Sequence, residues 1–171
     1  VACLQAILET LAPAEKELVR HALFLGVARS SFQLGGPDDG LQRPAFLVRN
    51  LIGVDPRTGS VAVGERLRVG QRVQFQLRDA DTSRQEQEQL LGAQQRQHPQ
   101  PLAALLFACL GRGEGLYGAP DGDVSACRKL FSSVPVAGAF CNGEIGPVGG
   151  RAHMHGFTAT MAVFTSIDTC N

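Results

Sequence analysis

Leu102–Gly113 reads LAALLFACLGRG, a nearly continuous apolar run that stops at Gly111-Arg112-Gly113. Such a run, with no polar face, fits a central β-strand covered on both sides, and the glycines behind it mark the loop into which it opens. Working outward, Val124, Cys127, Leu130 and Phe131 fall on the buried face of a helix expected over Asp123–Phe131. Pro135–Phe140 then reads as a second interior strand, and Phe157–Phe164 (FTATMAVF) as the last. Upstream, Asp79–His98 is dominated by Gln, Glu and Arg. Ser83 with Glu86 has the spacing of a capping box, which predicts a helix start there, and Leu90 and Leu91 give that helix a narrow apolar face.

The first half of the chain reads differently. Leu4, Ile7, Leu8 and Leu11 recur at helical spacing up to Pro13, and a second turn carries Glu15–His21. Ala22–Ala28 (ALFLGVA) is a short charge-free strand, and Ser30–Arg43, rich in Gly, Pro and Asp, is a loop. Phe46–Val54 (FLVRNLIGV) and Ser60–Val63 flank the turn sequence Asp55–Gly59 (DPRTG) and make a hairpin. Val73, Phe75 and Leu77 alternate with Arg72, Gln74, Gln76 and Arg78, the period of a strand wet on one face. The fold class is therefore α/β in the α+β sense: a mixed β-sheet with flanking helices and a β-hairpin or meander insertion.

At 171 residues the chain suits one domain with an appended helical segment. Sixteen basic residues balance sixteen acidic ones, so no global field draws it to nucleic acid or to an anionic membrane. Arg66, Arg68, Arg72 and Arg78 have no aromatics between them for base stacking and read as a solvated strand face. No apolar run approaches the roughly 20 residues of a membrane span, and residues 1–20 lack a signal-peptide pattern, so a cytoplasmic location is expected. The chain starts at Val and reads as a piece of a longer protein. Cys3, Cys109, Cys127, Cys141 and Cys170 are scattered, with no C-x-x-C spacing, and signal neither a disulfide framework nor a zinc knuckle.

Two strand ends open into glycines and charged residues: Gly111-Arg112-Gly113, and the Gly-rich stretch Val136–Phe157 with its Asn142-Gly143-Glu144. Glycine lets backbone N–H groups approach a ligand, and α/β sheets place ligands at strand ends. Arg112 suits a carboxylate or phosphate, Glu144 an amine, and Asn142 either group, so a zwitterion such as an amino acid satisfies all three. The plainer reading makes the glycines turns and gives Glu144 a backbone or arginine partner. Cys109 and Cys141, with His153 and His155 near in sequence, raise a nucleophile, but both cysteines follow apolar strand runs and read as core. His153 and His155 point the same way on an extended segment without a complete ligand set, so no metal is expected.

Three segments carry a family resemblance. They are LVRNLIGVDPRTGSVAVGERLRVGQRVQFQLRDA (Leu47–Ala80), ALLFACLGRG (Ala104–Gly113), and VPVAGAFCNGEIGPVGG with HGFTATMAVF (Val134–Gly150 and His155–Phe164). They resemble the C-terminal FIST domain in an ordered series covering roughly Leu23–Phe164. The resemblance implies a sensory module of intracellular signal transduction that binds a small ligand, with amino acids the proposed class. It also implies an N-terminal FIST half as partner, and occurrence both in bacterial signalling proteins and in an F-box protein of ubiquitin ligase complexes. Arg49, Asn50, Arg78, Arg112, Asn142, Glu144 and His155 gain weight because they are polar within the family blocks.

The expectations are thus a helical lead-in over 1–21 and a FIST C-terminal domain over 22–171. The domain binds a small ligand through Arg112, Asn142, Glu144, Gly111, Gly113, Gly143, Arg49, Asn50, Arg78 and His155. It uses no cofactor or metal and contacts no nucleic acid or membrane. The alternatives are a protein-interaction module, as in an F-box-linked protein, and an enzyme acting through Cys141 or Glu144.

Overall fold

The computed structural model describes residues 1–28, 46–148 and 151–166. The loop expected at Ser30–Arg43 lies outside the described residues, as does Cys170. Contacts divide the chain into two units, Val1–Arg78 and Asp79–Asn171.

In the first unit, helices α1 (Ala2–Thr10) and α2 (Pro13–Ala22) precede strands β1 (Leu23–Ala28), β2 (Phe46–Asp55), β3 (Ser60–Val63) and β4 (Val73–Leu77). Pro13 separates the helices and sits in the first turn of α2, where its missing N–H costs nothing. The Ala12 amide donates to Glu15 Oε2 at 2.8 Å, closing that end. The four strands form an antiparallel sheet in the order β3-β2-β1-β4. β1 is central, which accounts for its charge-free sequence: Phe24, Leu25, Val27 and Ala28 are all buried. The hairpin expected at Asp55–Gly59 is present. Asp55 accepts from the Arg57 amide and the Thr58 hydroxyl, both at 2.9 Å, and Gly59 takes φ +68°.

In the second unit, α3 (Ala80–Gln97) leads into β5 (Ala103–Cys109), then α4 (Gly113–Tyr117), α5 (Gly122–Leu130) and β6 (Val136–Cys141). β7 (Glu144–Val148), β8 (Arg151–His155) and β9 (Ala159–Phe164) follow. β5 pairs in parallel with β6 and antiparallel with β9, giving a mixed three-stranded sheet in the order β6-β5-β9. The strand expected at Pro135–Phe140 is β6, which runs to Cys141, while the Gly-rich stretch between it and Phe157, expected as a loop, holds the antiparallel hairpin of β7 and β8. The single mixed sheet expected from sequence is likewise divided among four-, three- and two-stranded sheets, within the same α/β class.

Helix α3 starts earlier than the Ser83–Glu86 spacing implies. Asp79 is its N-cap, accepting from the Thr82 amide at 2.8 Å, while the Ser83 hydroxyl donates to the Asp79 carbonyl. Two of its glutamines reach the neighbouring helix. Gln87 Nε2 donates to the Asp123 carbonyl at 3.0 Å and Gln95 Nε2 to the Leu130 carbonyl at 2.7 Å, fastening α3 to α5. Beneath these bonds Leu91, Cys127 and Phe131 form a core joined by Leu130, Val136 and Met161.

Candidate functional site

Parallel pairing brings the two Gly-rich strand ends side by side. Cys109 and Cys141 are in register, the Leu110 amide donates to the Cys141 carbonyl at 2.9 Å, and the Arg112 amide donates to the Cys109 carbonyl at 2.8 Å. Gly111-Arg112-Gly113 and Asn142-Gly143-Glu144 therefore leave the sheet from adjacent strands at the same end. Gly143, with φ +132°, makes a turn that an L side chain rarely adopts, and so delivers Glu144 into β7.

Glu144 is 2% exposed. Its Oε2 accepts from the Thr158 hydroxyl at 2.9 Å, and its Oε1 is buried without a hydrogen-bond partner among the described residues. The period of two in β7 explains the placement, since Glu144 and Gly146 point inward while Ile145 and Pro147 point out. Gly146 is held against β9, where a Cβ would come within 2.8 Å of Thr160 Oγ1. His155 is the cross-strand partner of Glu144, and its Nε2–H donates to the Gly146 carbonyl at 3.1 Å. His153 and His155 do share a strand, with ring centroids 6.3 Å apart and ring planes at 77°.

Arg112 is 8% exposed and is clasped from within the unit. Its Nε donates to Asp123 Oδ2 at 2.9 Å and its Nη2 to Asp123 Oδ1 at 2.7 Å, the bidentate geometry expected of a ligand carboxylate. Nη2 also donates to the Tyr117 hydroxyl, which in turn donates to Asp123 Oδ1 at 2.8 Å. Burial alone would lower the Arg112 pKa, but the hydrogen bonds and charge of Asp123 outweigh it and the net direction is up. Burial, seconded by the bond to Asp123, pushes the Tyr117 phenol up to about 12, so it remains a donor. Among the described residues these bonds engage Nε and Nη2 of the guanidinium and not Nη1. Gly122 secures this cluster, because a Cβ there would stand 2.2 Å from the Tyr117 ring.

A cleft of about 200 Å³ lies on the helix-facing side of the sheet, between Leu106 and Ala108 of β5, Gly138 and Phe140 of β6, and Gly122 and Asp123 of α5. It is smaller than the ~300–1,000 Å³ of drug-sized pockets, and Arg112, Asn142 and Glu144 are not among the residues that line it.

Arg49, Asn50 and Arg78 belong to the first unit, whereas Gly111, Arg112, Gly113, Asn142, Gly143, Glu144 and His155 belong to the second. Arg49 pairs with Glu65, and the Arg78 guanidinium lies 5.6 Å from the centre of the Phe24 ring. Sequence reasoning missed Tyr117, Asp123 and Thr158. The available signal for the first two was the chain's one tyrosine set in a stretch of turn residues, GLYGAPDGD.

A FIST C domain matches residues 3–147, and the chain belongs to that family. The family is one of sensory domains of signal-transduction proteins. Uncharacterized protein Mb0898c of Mycobacterium bovis and uncharacterized protein Rv0628c of Mycobacterium tuberculosis are each 41% identical to it over 162 residues. That alignment covers 94% of this chain and 41% of either relative, so the chain spans about two-fifths of their length. No helix among the described residues is long and apolar enough to cross a membrane.

Proposed function

We propose that this chain is the ligand-holding part of a cytoplasmic sensory module and captures a small molecule carrying a hydrogen-bond donor, an amino acid or related amine, at Glu144. The observation that carries this reading is the buried Glu144 carboxylate with one oxygen bonded to Thr158 and the other unpartnered. A buried polar atom left without a partner costs about 1–3 kcal/mol, more when charged, and a ligand ammonium would supply the missing donor. Asn142 and Nη1 of Arg112 then serve the ligand's acceptor end, while the rest of the Arg112 guanidinium keeps the adjoining loop in shape. Binding passes on a signal to the extent that the ligand prefers one arrangement of the two strand-end loops. The greater length of the relatives accords with a further FIST half that completes the site.

The module binds rather than catalyses in this reading: the Cys141 thiol makes its contact with the Ala139 carbonyl, at 3.8 Å, and not with a base. The test is a thermal-shift and calorimetric screen of amino acids and small amines against the wild type and Glu144→Gln. A ligand is expected whose affinity falls at least tenfold in the variant and in its deaminated analogue. Unchanged affinity in Glu144→Gln sinks the proposal.

A second reading, a protein-interaction surface, draws on Ile145 and Met154. They are cross-strand partners on the outer face of the β7–β8 hairpin, 71% and 70% exposed. Paired apolar side chains left in water are a feature of recognition surfaces. Ile145→Lys would abolish partner capture on this reading and leave small-ligand affinity intact on the first.

A further inference from the structure

We propose that Cys109 and Cys141 are a reversible disulfide pair, a modification site at the root of the two strand-end loops. The two residues are in-register partners on adjacent parallel strands, and the hydrogen bond from the Leu110 amide to the Cys141 carbonyl fixes that register. Residues so paired project to the same face of a sheet, and neighbouring strands lie ~4.8 Å apart. That spacing falls within the Cα separation of ~4.4–6.8 Å that a disulfide spans. Both thiols are free.

Their exposures differ in a way that assigns the order of events. Cys141 is partly exposed and Cys109 is buried beside it. A hydroperoxide reaches Cys141 first: the Cys141 thiolate attacks the outer peroxide oxygen, an S–O bond forms, the O–O bond breaks, and the alcohol leaves with a proton. The resulting sulfenic acid meets the Cys109 thiolate, which attacks Cys141 Sγ and expels hydroxide, released as water. Two thiols have then lost two electrons and two protons, and one hydroperoxide has become an alcohol and water. A small-molecule dithiol reverses the change by exchange.

The bond ties the roots of Gly111-Arg112 and of Asn142-Gly143-Glu144, so oxidation restrains the relative motion of those loops. The proposal stands on strand register and does not depend on any ligand at Glu144. Cys127, 0% exposed in the core against Met161, has no part in it.

The test treats the folded protein with stoichiometric tert-butyl hydroperoxide, quenches with an alkylating agent, and maps tryptic peptides without reduction. Cleavage after arginine and lysine puts Cys109 in 97–112, Cys127 in 113–128 and Cys141 in 130–151, so each pairing has its own mass. The expected product joins 97–112 to 130–151 and disappears with dithiothreitol. Cys109→Ser should instead stop at a Cys141 sulfenic acid trapped by dimedone, and Cys141→Ser should leave Cys109 reduced. Wild-type protein that accumulates sulfinic acid at Cys141, or that links Cys3 or Cys127 in preference, overturns the proposal.

Discussion

Tyr117 is the chain's one tyrosine, and the chain contains no tryptophan, so its ionisation can be followed by tyrosinate absorbance without interference. In the folded protein the midpoint should lie near 12, against an ordinary value of 10.0. The sign follows from linkage. A pKa raised in the folded state means that this group's stabilisation is complete below about pH 10 and is lost as pH rises through about 12. A midpoint near 10 in native protein would show that Asp123 and burial do not hold the phenol. Arg112 belongs to the same cluster, and breaking its pair leaves Asp123 buried with uncompensated charge. Arg112→Ala should therefore cost about 3–5 kcal/mol in urea unfolding. A replacement of Arg112 and Asp123 together by apolar residues should recover most of that, because both charges leave at once. If Arg112→Ala were instead neutral in stability, the guanidinium would be free for a ligand in the way its sequence context first suggested.

Elements differ in how openly the sequence declares them, and the difference is physical. β1 and β5 are legible because central strands are covered on both faces and carry no polar alternation; β4 is legible because one face is wet. β7 and β8 are not, since EIGPV and RAHMH have too few β-branched or aromatic residues to mark them, and what makes them strands is their pairing with each other. The start of α3 was misplaced because Ser83–Glu86 and Asp79–Thr82 both have cap chemistry, and spacing cannot rank them. Mutation can: Asp79→Ala should cost about 1 kcal/mol and Glu86→Ala almost nothing. The hydrogen bonds from Thr82, its backbone amide foremost, hold the Asp79 pKa below 3.8. The contribution of this cap is thus present above pH 3.8 and lost as pH falls through the lowered folded value. Gly138 sets a harder limit on the β5–β6 pair, because a Cβ there would stand 1.7 Å from the Leu106 carbonyl oxygen. Gly138→Ala must force the strands apart, at a cost of at least about 1–3 kcal/mol. A crystal structure of that variant with the β5–β6 ladder undisturbed would refute this.

At the scale of the molecule, what could be read in advance of the candidate site was its address. Two apolar strands each ending in glycine announced where loops would converge, but not that Arg112 would find Asp123 eleven residues on, nor that Thr158 would reach Glu144 from the turn before β9. Those partners lie on elements whose proximity only the tertiary fold creates. The same connectivity says how occupancy should spread. A ligand held by Glu144 is bonded through Thr158 to the start of β9, and Cys109 of β5 donates its amide to the Thr158 carbonyl at 2.9 Å. Amide hydrogen exchange should therefore slow first at β7, at Thr158–Ala159 and at the Cys109–Arg112 exit, because these amides open only when the ligand-bonded turn opens. At a ligand concentration of 100 Kd the protection ceiling is about 2.7 kcal/mol, a near hundredfold slowing of the openings that release ligand. The outer strand β3 belongs to the other unit and should show the smallest change. Slowing confined to Ile145 and Met154 and their neighbours on addition of a protein partner would instead mark the hairpin's outer face as the surface that receives the signal.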